Sequence, residues 1–147
     1  MKIATKLTGL VVLVLCAAGN AFSQASAGIG DVTVYLLQNE QMQSRYTACV
    51  QVGVEAIKGY VPGILISARF DKPVSSTIEV NGRAVQTMAN SAETSHNENY
   101  IKDGDVFRIT LTVGSPVQVV YFLVGGQKAF GITELRKVEC PAKTKAK

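Results

Sequence analysis

Several absences narrow the chemistry open to this chain of 147 residues. It contains no tryptophan and a single histidine, His96. No Cys-x-x-Cys motif is present, which excludes the common dithiol redox site. Lysine and arginine do not cluster in the central part of the sequence, so the basic composition does not indicate a nucleic-acid-binding protein.

The sequence also lacks helical heptads, strand–helix–strand alternation and internal repeats. Valine, isoleucine, threonine, glycine and serine dominate instead, a balance typical of strands and turns. Apolar residues make up 47% of the chain and charged residues 18%, so the chain can bury a core. Its length fits one domain.

The N-terminal part has the three-part pattern of a secretory signal peptide. Two lysines precede an apolar run at 7–18, and small residues follow it. We predict a signal peptide at 1–23, with a second acceptable cleavage site after Ala25. The run is shorter than the ~20 apolar residues that a transmembrane helix needs. Lipidation at Cys16 is disfavoured because Leu15 is not small. The mature chain is therefore predicted to be periplasmic or secreted, with no transmembrane segment.

Two cysteines remain after removal of the signal peptide, Cys49 and Cys140. An even pair in an exported domain predicts one disulfide bond. Apolar residues flank Cys49 at alternate positions, including Ala48 and Val50, so Cys49 takes the polar parity of an unbroken strand. We predict that the bridge holds the C-terminal segment against the outside of the domain. The alternative is a bulge that turns Cys49 into the core.

Alternation of apolar and polar residues predicts seven or eight short strands separated by turns. The predicted segments are 31–37, 45–55, 64–70, 77–87, 105–113 and 117–124, followed by a strand towards Cys140. They predict an all-β fold, an antiparallel sandwich that is immunoglobulin-like or a partly closed barrel. The single domain is predicted at 24–141, and a disordered lysine-rich tail at 142–147.

Two pairs of turn residues predict tight hairpins. Asn81-Gly82 suits a type I′ turn. The expected partners across it are Val80 with Arg83, Glu79 with Ala84 and Ile78 with Val85. Gly125-Gly126 predicts a second hairpin. The expected partners there are Tyr121 with Phe130 and Val119 with Ile132. The strand at 117–124 is apolar on both faces, which predicts a central position covered on both sides.

Other segments are predicted as connections. Residues 39–44 are polar and are expected to end the first strand. Residues 89–99 are polar and contain no β-branched apolar residue, so we predict a long loop or a short surface helix there. Residues 102–105 combine Asp and Gly, which turns favour.

The single histidine gives little support to catalysis. Ser95, His96 and Asp103 would complete a triad on paper, but neighbours in sequence rarely adopt that geometry. The acidic residues at 93–105 lack the alternating oxygen ligands of a calcium loop. We therefore predict no catalytic residue, no metal site and no cofactor.

Small β-sandwich proteins commonly act through loops or exposed strand edges. We predict an exported, non-catalytic protein that contacts another envelope or extracellular protein in an accessory, assembly or inhibitor role, and that binds no nucleic acid. The candidate contacts lie in the 89–102 segment and at the first hairpin tip: Asn81, Gly82, Glu93, His96, Glu98 and Tyr100.

Four alternatives remain open at this point. Residues 119–124 are uncharged and β-prone, as in a subunit that polymerises by strand addition. The acidic residues near His96 leave a hydrolase of envelope polymers open. A barrel interior could hold a hydrophobic ligand. The tail lysines could touch an anionic surface, with roughly 1 kcal/mol each.

Overall fold

The computed structural model describes residues 31–143, and these form an antiparallel sheet of seven strands. The strands are β1 (Val32–Met42), β2 (Tyr46–Val54), β3 (Gly63–Val80), β4 (Arg83–Asn99), β5 (Val106–Thr112), β6 (Val117–Gly126) and β7 (Ile132–Val138). A single 3₁₀ turn, Lys128–Phe130, precedes β7. The all-β antiparallel prediction is confirmed. The predicted signal peptide and residues 144–147 lie outside the described residues.

The strand order brings the sheet close to a closed barrel. Hydrogen-bonded neighbours run β1-β6-β3-β5-β2-β7, and β4 pairs with β3 outside this path. β1 also contacts β7, so the two ends of the path lie side by side. Within the described residues, no helix is long and apolar enough to span a membrane.

β3 organises the sheet because it is paired along both edges. β4 follows one edge from Gly63 to Val80. On the other edge, β6 pairs with residues 64–70 and β5 pairs with residues 75–80. β6 and β5 therefore lie end to end along β3, and β1 and β2 lie end to end along β6 and β5. The sheet thus contains four long ribbons side by side: β4, β3, β6 with β5, and β1 with β2.

Each ribbon is interrupted near its middle, and the four interruptions lie next to each other where the sheet bends. The interruptions are residues 43–45, the register break at 69–74, residues 113–116 and the break between Met88 and Ser91. Such bends let one sheet fold into two layers. Tyr46 on β2 and Phe122 on β6 lie on opposite sides of the bend, and their rings make a T-shaped contact with centroids 6.2 Å apart. The buried faces of the two layers therefore form a single core.

The core follows the alternate-residue pattern of the sequence. On β3, Ile64, Ile66 and Ala68 are buried and the residues between them are not. The largest fully buried side chains come from both halves: Phe107, Phe122, Ile66, Ile78, Ile109, Leu111 and Ile132. Burial of aliphatic and aromatic side chains of this size contributes roughly 1.5–3 kcal/mol each.

The predicted loop or helix at 89–99 is wrong, because these residues are the second half of β4. They pair with β3, for example Asn97 with Leu65 and Ser95 with Ser67. Intrinsic propensity is a weak guide where cross-strand pairing decides the conformation. β1 is likewise longer than predicted, because Asn39 adopts a positive φ of 51° and the strand continues to Met42.

The first hairpin is confirmed at its tip and shifts further along. Asn81 and Gly82 have φ values of 50° and 85°, as a type I′ turn requires. Val80 pairs with Arg83 and Glu79 with Ala84. Ile78 pairs with Gln86, not Val85, because β4 has one extra residue at this point.

The second predicted hairpin is wrong. β6 runs on through Gly126 and pairs with β1 and β3, while β7 crosses to β2. The observed partners are Tyr121 with Gln38 and Arg69, and Val119 with Glu40 and Phe70. Phe130 stacks on Tyr60, not on Tyr121. The strand at 117–124 is central as expected, but Val120 is 42% exposed, so its cover is incomplete.

The predicted disulfide between Cys49 and Cys140 is confirmed. β2 keeps one register from Tyr46 to Gly53, so Cys49 points to the face opposite Ala48 and Val50. The C-terminal segment beyond β7 crosses that outer face. There Arg108 donates to the Pro141 carbonyl oxygen, and Lys143 lies 3.8 Å from the Glu79 carboxylate.

Reduction of the disulfide is expected to lower the free energy of unfolding by about 2–4 kcal/mol. The bond joins residues 91 apart, and its loss releases a long loop in the unfolded chain. Urea denaturation with and without dithiothreitol measures the difference. Cys140→Ser should match the reduced protein, and an unchanged midpoint in both would contradict the prediction.

Gly126→Ala is expected to destabilise the protein by about 1–3 kcal/mol through overpacking. An ideal Cβ at Gly126 would lie 2.9 Å from both γ-carbons of Ile132, which is fully buried. Gly114→Ala is the matched control, because a Cβ there meets nothing within 4 Å. Thermal unfolding of both variants checks this. Equal melting temperatures would show that Ile132 does not require a glycine beneath it.

Candidate functional site

The feature that most distinguishes this surface is the outer edge of β4. β4 spans 17 residues and, among the described strands, pairs only with β3. A strand at the end of a sheet presents a row of backbone N–H and C=O groups that another strand can pair with. β1 and β7 also have a single strand partner each, but β4 is the longest of the three and so offers the longest edge to a further strand.

The six residues predicted as candidate contacts all lie on β4 or beside its ends. Glu93, His96 and Glu98 belong to the strand itself. Asn81 and Gly82 form the turn that leads into β4, and Tyr100 follows its last residue. Three of the six residues therefore lie on a strand, where a loop or helix was predicted, and their role as contacts remains a prediction.

Asn81 has a structural part in fixing the start of β4. Its Nδ2 donates to Asp105 Oδ1 at 2.9 Å, and its Oδ1 accepts from the Val106 N–H at 3.0 Å. Asp105 Oδ2 in turn accepts from the Lys102 N–H at 2.9 Å. The hairpin tip is therefore tied to the predicted turn at 102–105, which is confirmed by the Asp105 N–H to Lys102 carbonyl bond.

His96 and Glu98 form a side-chain pair on the inner face of β4. His96 Nε2 lies 2.8 Å from Glu98 Oε2, and the two side chains are 17% and 23% exposed. They stand opposite Ile66 and Ile64, whose side chains point into the core. The pair closes the core at the open side of the sheet, with its polar atoms directed to each other.

A depression of about 360 Å³ lies beside this pair. Its lining brings together the two ends of β4, which are far apart in sequence: Val80, Asn81, Arg83, Glu98, Asn99, Tyr100, Ile101, Lys102 and Asp105. Three of the six predicted contacts therefore meet in one place. Tyr100, at 77% exposed, is the most accessible large hydrophobic side chain among the described residues.

The other predicted contacts are placed elsewhere. Glu93 lies 3.4 Å from Arg69 in an exposed ion pair on the outer face. Gly82 lines a separate depression under the C-terminal segment, together with Arg108 and Lys143. Exposed ion pairs of the first kind contribute little to stability, about 0–1 kcal/mol.

Two residues of this region were not predicted. Arg83 brings a positive charge to the depression that holds Glu98. Gln86 faces inward opposite Ile78, and its Oε1 is buried without a hydrogen-bond partner among the described residues. The sequence alone does not indicate either residue as part of the site, because the two halves of β4 come together only when the strand folds over.

The triad considered on paper is not assembled. His96 pairs with Glu98, whereas Asp103 Oδ1 accepts a hydrogen bond from the Val54 N–H at 2.9 Å. Ser95 lies on the opposite face of β4 from His96. In the range 31–143, no group of three or more His, Cys, Asp or Glu side chains could hold a metal ion.

Comparisons with protein-family models, with curated proteins and with solved structures return no match. The geometry of β4 and its surroundings is therefore what bears on function.

Asn81→Gly is expected to lower the free energy of unfolding by about 1–2 kcal/mol, because glycine keeps the positive φ but loses both side-chain hydrogen bonds. Asn39→Gly is the matched control. Asn39 has nearly the same φ, 51°, and its side chain bonds to no group in the described part of the chain. Chemical denaturation compares the two, and equal losses would refute the assigned role of Asn81.

Proposed function

We propose that this chain is an exported, non-catalytic protein that works by binding another protein, and that the partner contacts the outer edge of β4. The single observation that carries the proposal is a 17-residue strand that, within residues 31–143, is paired on one side only. An extended segment of a partner that adds to this edge gains main-chain hydrogen bonds, and its alternate side chains supply specificity.

The composition of β4 supports an edge that is kept open. Proteins protect exposed strands from unwanted pairing with proline, with lysine or with inward-pointing charges. β4 contains no proline and no lysine, and its inward-pointing Glu98 is paired with His96. Its polar threonine, serine and asparagine side chains keep the strand soluble without blocking its backbone.

The ends of β4 add a recognition surface to the edge. Arg83, Tyr100 and Lys102 surround the depression beside Glu98, so charge of both signs lies next to an exposed aromatic ring. Tyrosine and arginine are enriched among the residues that dominate protein–protein binding. A partner strand on β4 would place its flanking residues against this depression.

Export is supported by two independent features. The N-terminal sequence has the pattern of a signal peptide. A disulfide such as Cys49–Cys140 persists in oxidising compartments, which supports export. The proposal therefore places the partner in the periplasm or outside the cell, in an accessory, assembly or inhibitor role.

Polymerisation by strand addition is a second candidate function, but residues 119–124 are not the edge that would be used. Residues 119–124 belong to β6, which is paired with β1 on one side and β3 on the other. A growing fibre would therefore use another edge, and β4 is the longest described strand that has a single partner. Sedimentation over a range of concentrations separates the two functions, because a partner-binding protein remains monomeric when it is alone.

The edge is tested by Ser95→Lys combined with Asn97→Lys, two exposed positions in the second half of β4. Lysines on an edge disfavour strand addition. The double variant is expected to lose its partner in a cross-linked pull-down of the full-length protein from its own cell envelope, analysed by mass spectrometry.

Thr112→Lys is the control, because Thr112 is also exposed but lies on β5, inside the sheet. The control should recover the same partner as the unchanged protein. Equal recovery by the β4 double variant would remove the edge from the proposal. A hydrolase is examined in parallel with His96→Ala, and loss of biological activity with the partner still bound would favour catalysis.

A further inference from the structure

Two neighbouring loops concentrate the exposed apolar side chains of this protein. Among the described residues seven large hydrophobic side chains are exposed, and four of them lie in these loops: Ile57, Tyr60, Val61 and Phe130. Exposed apolar residues scattered singly are ordinary, whereas a contiguous group indicates a contact surface. We call these four residues the apolar tip.

The apolar tip is held in one arrangement by its backbone. The Glu55 N–H donates to the Gly131 carbonyl oxygen at 2.8 Å, which joins the two loops. Gly131 has a φ of 105°, and a Cβ there would lie 2.5 Å from the Glu55 carbonyl oxygen, so only glycine allows this approach. A surface that is already ordered avoids the entropic cost of ordering when it binds.

Side-chain contacts complete the arrangement. The rings of Tyr60 and Phe130 stack with centroids 5.3 Å apart and planes at 26°. The Tyr60 N–H closes a turn on the Ile57 carbonyl oxygen at 3.1 Å. The tip therefore presents two joined aromatic rings with Ile57 and Val61 beside them.

Two lysines lie beside the apolar tip, and a second carboxylate besides Glu55, that of Asp103, accepts a hydrogen bond from the Val54 N–H at the base of the first loop. Lys58 and Lys128 lie within the same two loops and are exposed. Within 55–62 and 127–131 the only acidic residue is Glu55. Among the described residues, neither lysine has an ion-pair partner. Both positive charges are free to meet an anionic surface.

We propose that the apolar tip docks this protein on the surface of a membrane that contains anionic lipids. Tyrosine, phenylalanine and aliphatic side chains bury their apolar parts at the boundary between headgroups and acyl chains, while lysines extend to the phosphates. A purely apolar protein surface would leave Lys58 and Lys128 without partners, whereas lipid phosphates provide them. The tip shares no residue with β4, although Pro62, beside Val61, accepts a hydrogen bond from the Ile101 N–H just beyond the end of β4.

The absence of tryptophan allows a direct test. Phe130→Trp places a single fluorescent reporter in the tip, and Val120→Trp places one at an exposed position in the first half of β6. With vesicles of phosphatidylcholine and phosphatidylglycerol in equal parts, emission of the Phe130→Trp protein should shift to the blue. Vesicles of phosphatidylcholine alone should give much weaker binding. No shift with the anionic vesicles, or equal shifts for both reporters, would overturn the proposal.

The charge contribution is tested by Lys58→Gln with Lys128→Gln in the Phe130→Trp protein. Binding to the anionic vesicles should weaken about 30-fold, because each lysine near an anionic surface contributes about 1 kcal/mol. Lys72→Gln with Lys137→Gln removes the same net charge elsewhere and should leave most of the binding. Equal losses in the two double variants would show that net charge, not the tip, determines binding, and would contradict the proposal.

Discussion

Pairing along both edges of β3 is the constraint on which the rest of the structure depends. β4 occupies one edge, and β6 followed by β5 occupies the other. β5 and β6 lie end to end along that edge, so the chain between them, at 113–116, bends where β3 bends. The chain between β1 and β2, at 43–45, bends at the same place. A single sheet therefore folds upon itself, and its buried faces form one core.

The folding-over also explains why one strand is left with an open edge. β1 and β7 lie side by side at the two ends of the hydrogen-bonded path, without pairing with each other. β4 lies outside that path, so its backbone on the outer side has no strand partner among the described residues. The bend brings its two ends to the same depression, where Arg83 and Glu98 lie far apart in sequence but close in space. Edge and depression thus arise from the same bend.

Local patterns predicted the fold class well because burial in this protein follows the two-residue period of a strand. Val50, Ile66 and Ile109 lie in the predicted strands 45–55, 64–70 and 105–113, and all three are fully buried. The errors have one common source, since they concern which strand lies beside which. Gly125-Gly126 has the composition of a turn, but the strand continues through it. Ile132 packs directly on Gly126, where a side chain would leave no room for it. Residues 89–99 have a loop composition, but β3 supplies their hydrogen bonds. Such information lies in residues distant along the chain.

The same limit applies to the candidate site. Asn81 was predicted from its turn chemistry, yet its bonds to Asp105 and Val106 make it a support for β4 and not only a surface contact. His96 was predicted as a loop residue, yet its pairing with Glu98 places it over the edge of the core. In both cases a polar side chain that looks free in the sequence is used to fix the open strand in position. An edge that must remain available to a partner, and yet not fray, needs such polar supports at its ends. That requirement links the stability of β4 to the function proposed for it.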